Sequence, residues 1–284
     1  MAQSNEVKQS EEAYMLPHSH QEIERMRNQH EWIKGSFGGL IKAPINFFEK
    51  HQKILDSATA DGTWLCDVSS LFPPETELVG FDIAPQLYRP PDTLPPNVKL
   101  VPGDLSKPLP DEWNQNFHLV HQRFVFPGFS TSTIRQFLNR LMACVKPGGW
   151  IQLVEPAADD NVSGPDAVGF AVLHRLAGLC MQSPNPKNVI LSTLKEGGFV
   201  DVNIQTMDIV IGVFQENKEL DARGRKSMRA SVQNMCQIVG YSRSPKTLGV
   251  SEADWHTVLD RFNADMEKYR TAVRHHIIWA RKPE

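Results

Sequence analysis

Between Lys53 and Asp82 the chain reads KILDSATADGTWLCDVSSLFPPETELVGFD, and no other stretch constrains the fold as tightly. A short apolar entry, Ile54 and Leu55, reaches Asp56, and small residues then run to Gly62. A helical segment and a second apolar run, Leu78 to Phe81, stop at Asp82. The order strand, tight loop, helix, strand, acid predicts one unit of an open parallel sheet. In such sheets the loop and the second acid lie at the carboxyl edge, where nucleotide-like cofactors bind. Small residues let the backbone approach a ligand, and an acid at the strand end can accept both hydroxyls of a ribose.

The alternation continues downstream. VKLVPGDL predicts a third strand ending at Asp104, FHLVHQRFVF a fourth and WIQLVEP a fifth. Between the last two, STSTIRQFLNRLMACVKPGGW is an amphipathic helix with Ile134, Phe137, Leu138, Leu141 and Met142 on one face and a stop at Pro147, Gly148 and Gly149. Pro85, Pro90, Pro91, Pro95 and Pro96 forbid a regular helix after Asp82 and predict an extended or short helical link. GPDAVGFAVLHRLAGLCM reads as a helix. The next segment gives a helix, the Gly197-Gly198 turn and a long strand. Residues from about 217 to 270 read as helical, with a cap before SEADWHTVLDRFNADM, and VRHHIIWARKP alternates as a last strand. A strand that leaves for a helical excursion and returns suggests an antiparallel edge pair, in which His275 and His276 are structural. The fold class is α/β, a doubly wound sheet.

Upstream, residues 1–13 form a polar tail. A turn at Pro17 and a cap at Ser19, with Glu22 three residues later, open a helix carrying Ile23, Met26, His30 and Ile33 on one face. Gly35, Gly38 and Gly39 end it, and Pro44 starts a second helical segment, INFFEKHQKIL. Three parts result: residues 1–52 as tail and helical cap, 53–216 with 271–284 as core, and 217–270 as a helical insertion or lid.

Composition narrows the partners. With 40% apolar and 22% charged residues, the chain is of the soluble globular class. A formal charge of −3 argues against a nucleic-acid surface, and Arg223, Arg225, Lys226 and Arg229 suit a solvated helix face. Four widely spaced cysteines without a CxxC pair read as reduced thiols filling apolar space, with no metal centre. The polar N-terminus lacks the apolar core expected of a signal peptide, and no apolar run approaches the roughly 20 residues of a membrane span, so neither is expected. A cytoplasmic protein is expected, with the nucleus open.

ILDSATADGTW, VGFDIAP, LVPGDLSKPLP, FHLVHQRF, VKPGGWIQLVE, LKEGGF and the closing HHIIWARKP together resemble the class I S-adenosylmethionine-dependent methyltransferases. That family has a Rossmann-like seven-stranded sheet with a reversed last strand. YMLPHSHQEIERMRNQH further resembles the cap of fungal LaeA-like and UMTA-like secondary-metabolite methyltransferases. Tyr14, Leu16, Pro17, Glu22, Gln29 and His30 fit the cap pattern, and Ser19 replaces an acid.

The resemblance implies S-adenosylmethionine as cofactor and a small, largely apolar metabolite as acceptor through O, N or S. It places the loop of Asp56, Ala58, Gly62 and Trp64 along the methionine moiety, Asp82 on the ribose and Ile83 on the adenine face. Asp104 and Leu105 meet the adenine edge, and His121, Gln122 and Arg123 lie beneath the methyl donor. His121 and His174 are candidate bases, since histidine titrates near neutrality. Substrate-side candidates are Tyr14, His30, His174 and the aromatic group Phe124, Phe126, Phe129 and Phe170, with Met228, Met235 and Tyr241 on the lid. His18 and His20 belong to the cap. Each has a plain structural alternative: a capping acid for Asp82 and Asp104, core for Trp64 and the phenylalanines.

One departure stands out. The family loop is glycine-rich, whereas this chain has Ala58 and Ala60, and alanine disfavours positive φ. A left-handed backbone at either position lowers cofactor affinity; a need for smallness alone costs little. Two rivals follow: a methyltransferase-like protein running a cyclisation or elimination, and a LaeA-like regulatory protein that uses its first dozen residues to bind partners.

Overall fold

The computed structural model describes residues 20–242 and 257–284. Its centre is a seven-stranded sheet: β1 (Lys53–Ser57), β2 (Glu77–Asp82), β3 (Val98–Pro102), β4 (Phe117–Arg123), β5 (Val145–Pro156), β6 (Val200–Ile211) and β7 (Thr271–Arg281). The spatial order is β3-β2-β1-β4-β5-β7-β6. β1 to β5 pair in parallel, and β7 inserts antiparallel between β5 and β6. His275 and His276 therefore sit on an interior strand, not at an edge; β6 takes the edge because β7 pairs with both neighbours.

Helices cover both faces. α2 (Thr63–Ser69) packs Trp64, Leu65 and Val68 on Ile54, Leu78 and Leu119. On the opposite face α3 (Thr131–Cys144) and α5 (Lys187–Glu196) bury Ile134, Leu138, Leu141, Ile190 and Leu194 against Leu55, Val120, Ile151 and Leu153. The links after β2 and β3 are short 3-10 turns at Pro85–Leu87, Pro91–Thr93 and Asp111–Trp113. The prolines there lack the amide a longer helix needs.

A third layer joins the α2 face. α1 (His20–Phe37), α4 (Val168–Cys180), α6 (Lys218–Ser242) and α7 (Val258–Lys268) enclose a core of Trp32, Phe37, Phe170, Val232, Phe262 and Met266 with Val154, Ile209, Val273 and Ile277. Gly35 and Gly224 let α1 and α6 approach: a Cβ at Gly224 would fall 2.7 Å from the Trp32 ring. α1 buries Glu22, Arg25 and Asn28 as well as Trp32 and Ile33. Hydrophobic periodicity alone misplaces this face, because it includes a Glu22–Arg25 ion pair at 2.6 Å. Met228 is partly buried and Met235 buried in the same core.

The second N-terminal helix does not form. Residues 38–52 run as turns: Asn46 Oδ1 accepts from Phe48 N at 3.0 Å, Gln52 Nε2 donates to Asn46 O and Glu49 O, and His51 has φ 59°. Side-chain bonds to the local backbone out-compete a helix that Pro44 leaves short. Gln152 on β5 ties this segment to the sheet, accepting from Lys42 N and Ala43 N and donating to Leu40 O. Cys144 and Cys180 are buried, Cys66 and Cys236 half-buried, and none forms a disulfide among the described residues. Among the described residues no helix is long and apolar enough to cross a membrane. Tyr14, His18, Ser19 and the cap before α7 lie outside the described residues, as do the side chains of His20 and Tyr241.

Candidate active site

The carboxyl edge of β1, β2 and β4 gathers the polar residues that the sequence singles out. Asp56, the penultimate residue of β1, is 3% exposed; its Oδ1 meets His121 Nδ1 at 2.7 Å and its Oδ2 accepts from Thr59 Oγ1 at 2.7 Å. His121 lies flat under Trp64, with ring centroids 3.8 Å apart and planes 2° from parallel. Burial holds the His121 ring below its ordinary pKa, against the pull of Asp56. The neutral ring donates through Nδ1, and Nε2 has no partner among the described residues.

From Asp56 the chain enters a loop with unusual backbone. Ala58 and Ala60 both have φ 53°, and Gly62, which opens α2, has φ 80°. Alanine in the left-handed region costs about 1–2 kcal/mol that glycine avoids. The loop is fixed by Thr59 N to Phe81 O, Gly62 N to Thr59 O, and Ala60 N to Asp82 Oδ2 at 2.9 Å. Asp82 Oδ1 accepts from Ala84 N at 2.9 Å. Tyr88 steadies the strand end: its hydroxyl accepts from Asp82 N at 2.8 Å and donates to Val101 O at 2.6 Å. Ile83, next in the chain, stands 62% exposed, a large apolar side chain presented at a polar edge.

Ion pairs hold α1 over this edge. Arg27 Nε donates to Asp61 Oδ2 at 2.7 Å, while Asp61 Oδ1 caps Thr63 N. Burial pushes the Asp61 carboxyl up, but Thr63, Arg27 and Arg89 outweigh it and it lies below the usual carboxylate range. His30, fully buried, meets Asp67 through Nε2 at 2.8 Å and Arg123 Nη2 through Nδ1 at 2.9 Å. A guanidinium only donates, so His30 Nδ1 accepts and Nε2–H donates to Asp67. Burial, reinforced by Arg123, pushes the His30 pKa down to about 4. Arg123 ends β4, with its guanidinium 6.0 Å over the Phe124 ring. Phe124 has φ 60°, a strained value for a bulky residue. The next amides, Val125 N and Phe126 N, donate to Glu155 Oε1.

Comparison with known proteins gives this edge its context. No family model matches the chain. The N-methyltransferase verN of Clonostachys rogersoniana is 60% identical over 283 residues, covering 100% of this chain and 97% of that one. The N-methyltransferase gliN of Aspergillus fumigatus is 32% identical over 282 residues, covering 96% and 98%. The chain belongs to the class I S-adenosylmethionine-dependent methyltransferases of the fungal secondary-metabolite type. A SAM-dependent methyltransferase from Archaeoglobus fulgidus overlays at TM-score 0.49 and 12% identity, covering 93% of this chain and 95% of that one. The fold assignment rests on the strand order, not on this overlay.

In this methyltransferase the site candidates divide into groups. Asp56, Ala58, Gly62, Trp64, Asp82, Ile83 and His121 come together at one edge. Asp56 and His121 face inward, committed to each other. Gln122 points to the opposite face and accepts from Ser57 Oγ at 3.1 Å. Asp104 accepts from Ser106 N at 2.8 Å and pairs with Lys107 at 3.3 Å, and Leu105 is partly buried against the core on the α3 face while its carbonyl accepts from Arg140. Two expected pocket walls are core instead. Phe126 and Phe170 are both 0% exposed, the latter stacked on Phe262 at 4.8 Å. Their apolar surface is already spent on helix packing. Phe124 and Phe129 are partly buried. His174, on α4, forms no hydrogen bond or ring contact with His121 among the described residues.

Thr59, Tyr88, Arg27 and Arg89 complete the edge without a signal in the sequence. Only the small-residue context of Thr59 hinted at its place.

Proposed function

We propose that the protein transfers the sulfonium methyl of S-adenosylmethionine to a nitrogen of a small, largely apolar fungal metabolite. The full-length relatives named N-methyltransferases support the choice of nitrogen. The cofactor fits the residues present. Asp82 and the loop amide of Ala60 form one hydrogen-bonded unit, with the carboxylate at the end of β2, where a strand-end acid suits the hydroxyls of a ribose. Ile83 offers an exposed apolar face suited to adenine. When bound, the cofactor supplies an already activated methyl group, so the protein's work is to bind, align and exclude water.

The observation that carries this reading is the Asp82–Ala60 bond, because it makes the strand-end acid and the loop a single cradle. For an acceptor nitrogen that must lose its proton, His174 is the candidate base. It is partly buried, its Nε2 has no partner among the described residues, and burial holds its pKa below the ordinary value so that the neutral form prevails. His30 serves the substrate side by fixing Arg123 at the end of β4.

Calorimetric titration with S-adenosylmethionine tests the cradle. Asp82→Ala should weaken binding at least about tenfold, the loss of one or two charge-assisted hydrogen bonds. Wild-type affinity in that variant would show that the ribose lies elsewhere. Transfer of labelled methyl to nitrogen-containing metabolites, with the product mapped by mass spectrometry, tests the acceptor atom.

A further inference from the structure

Two non-glycine residues in the left-handed region, separated by one residue, form a loop that does not hold itself. Ala58 and Ala60 share φ 53°, and a free alanine loop would relax toward ordinary backbone. Thr59 stands between them, 6% exposed. Its hydroxyl donates to Asp56 Oδ2 at 2.7 Å, its amide to Phe81 O at 3.0 Å, and its carbonyl accepts from Gly62 N at 2.9 Å. The partner of the hydroxyl is itself immobile, since Asp56 Oδ1 is taken by His121, which stacks on Trp64. The seat is also shaped for this side chain: a Cβ at Gly80 would fall 2.7 Å from Thr59 Oγ1.

We propose that Thr59 is a positioning residue for cofactor binding, and that its hydroxyl bond to the Asp56–His121 pair holds the alanine loop in the cradle form. A glycine loop reaches that form because nothing opposes it; here a buried side-chain clamp does the same work against strain. The clamp also gives the inward-facing Asp56 and His121 a role at the site without contact to the ligand. This inference rests on the reading of the loop as the cofactor cradle.

The clamp predicts a dependence on background that a merely structural threonine lacks. Thr59→Val keeps shape and removes the hydroxyl. In the natural chain it should raise the dissociation constant for S-adenosylmethionine about tenfold, equal to about 1.4 kcal/mol. In an Ala58→Gly, Ala60→Gly background, where the left-handed backbone is no longer strained, the same change should cost less than about threefold. Thr59→Ser, which retains the hydroxyl, should recover most of the loss in the natural chain. Calorimetry gives the affinities and near-UV circular dichroism confirms folding. A Thr59→Val chain that folds only in the glycine background supports the clamp equally. An equal loss in both backgrounds, no loss in the natural chain, or failure to fold in both overturns it. Asp82→Asn serves as the control on the underlying reading: wild-type affinity in that variant removes the cradle and the clamp together. A weakened Asp82→Asn with a background-independent Thr59→Val removes the clamp alone.

Discussion

His121 and His174 are both held toward the neutral form by burial, yet they are placed for different work. His121 spends Nδ1 on Asp56 beneath the Trp64 ring. Replacing it by Phe would leave Asp56 Oδ1 buried without a donor, at a cost of about 1–3 kcal/mol in stability. His174→Ala removes no hydrogen bond made by the ring among the described residues. If His174 takes the acceptor's proton, its effect falls on turnover, about a hundredfold or more in kcat, which stopped assays with labelled cofactor would measure. A variant whose turnover stays within a few-fold of wild type would show that the acceptor needs no base from α4. At this scale Asp82, Ile83 and the small-residue loop were legible in the sequence, because their positions follow from strand ends. Thr59, Tyr88, Arg27 and Arg89 were not. Their roles are made by partners in other elements, such as Tyr88 reaching Val101 and Arg27 reaching Asp61, and no local pattern records such contacts.

Element packing turns on close approaches that a single methyl can test. In α4, a Cβ at Gly169 would lie 2.4 Å from Phe262 N and 2.6 Å from Phe262 Cα on α7, whereas one at Gly178 would meet nothing within 4 Å. Both sites gain up to about 1 kcal/mol of helix propensity from alanine. At Gly169 the backbone of α7 cannot yield cheaply, and overpacking of about 1–3 kcal/mol outweighs that gain. Gly169→Ala should therefore lower the thermal midpoint and Gly178→Ala raise it. Two shifts of the same sign would mean that α4 and α7 adjust freely. The inner strands were readable as short apolar runs, because both of their faces are covered, and the helices α3 to α5 from periodicity. The failures have specific causes. INFFEKHQKIL has helical spacing but turns on its own Asn46 and Gln52. β7 reads as a terminal strand in sequence order, while the long antiparallel ladder with β6 puts it in the interior.

For the whole molecule, buried titrating groups set opposing limits on stability. His30 and His275 are each pushed down to about 4, by burial first and then by a neighbouring cation, Arg123 for His30, and against a backbone hydrogen bond for His275. Unfolded, they titrate near 6.5, so below that pH the unfolded chain binds more protons. Stability is full above 6.5 and is lost as pH falls through 4, about 3 kcal/mol for each. His121, also lowered, adds to the same limb. Glu155 works the other way. Burial pushes its carboxyl up to about 8, against the amides of Phe126 and Val125 and the Gln122 side chain. Here the folded state holds the proton longer than the unfolded chain, whose carboxyl titrates near 4.5. That stability is full below 4.5 and is lost as pH rises through 8, about 5 kcal/mol in all. Between 4.5 and 6.5 two or more histidine protons oppose one carboxyl proton, so stability should climb with pH; above 6.5 Glu155 alone of these groups remains and stability should fall. The thermal midpoint should peak near pH 6.5. Glu155→Gln, a permanently neutral side chain with an acceptor for the same amides, should flatten the descent from 6.5 to 8. His275→Phe, which fills the space among Trp32, Phe37 and Phe124, should shallow the rise on the acid side. Melting curves across pH 4.5–8.5 decide both, and a descent of unchanged slope in Glu155→Gln would show that Glu155 is ionised in the folded protein at neutral pH.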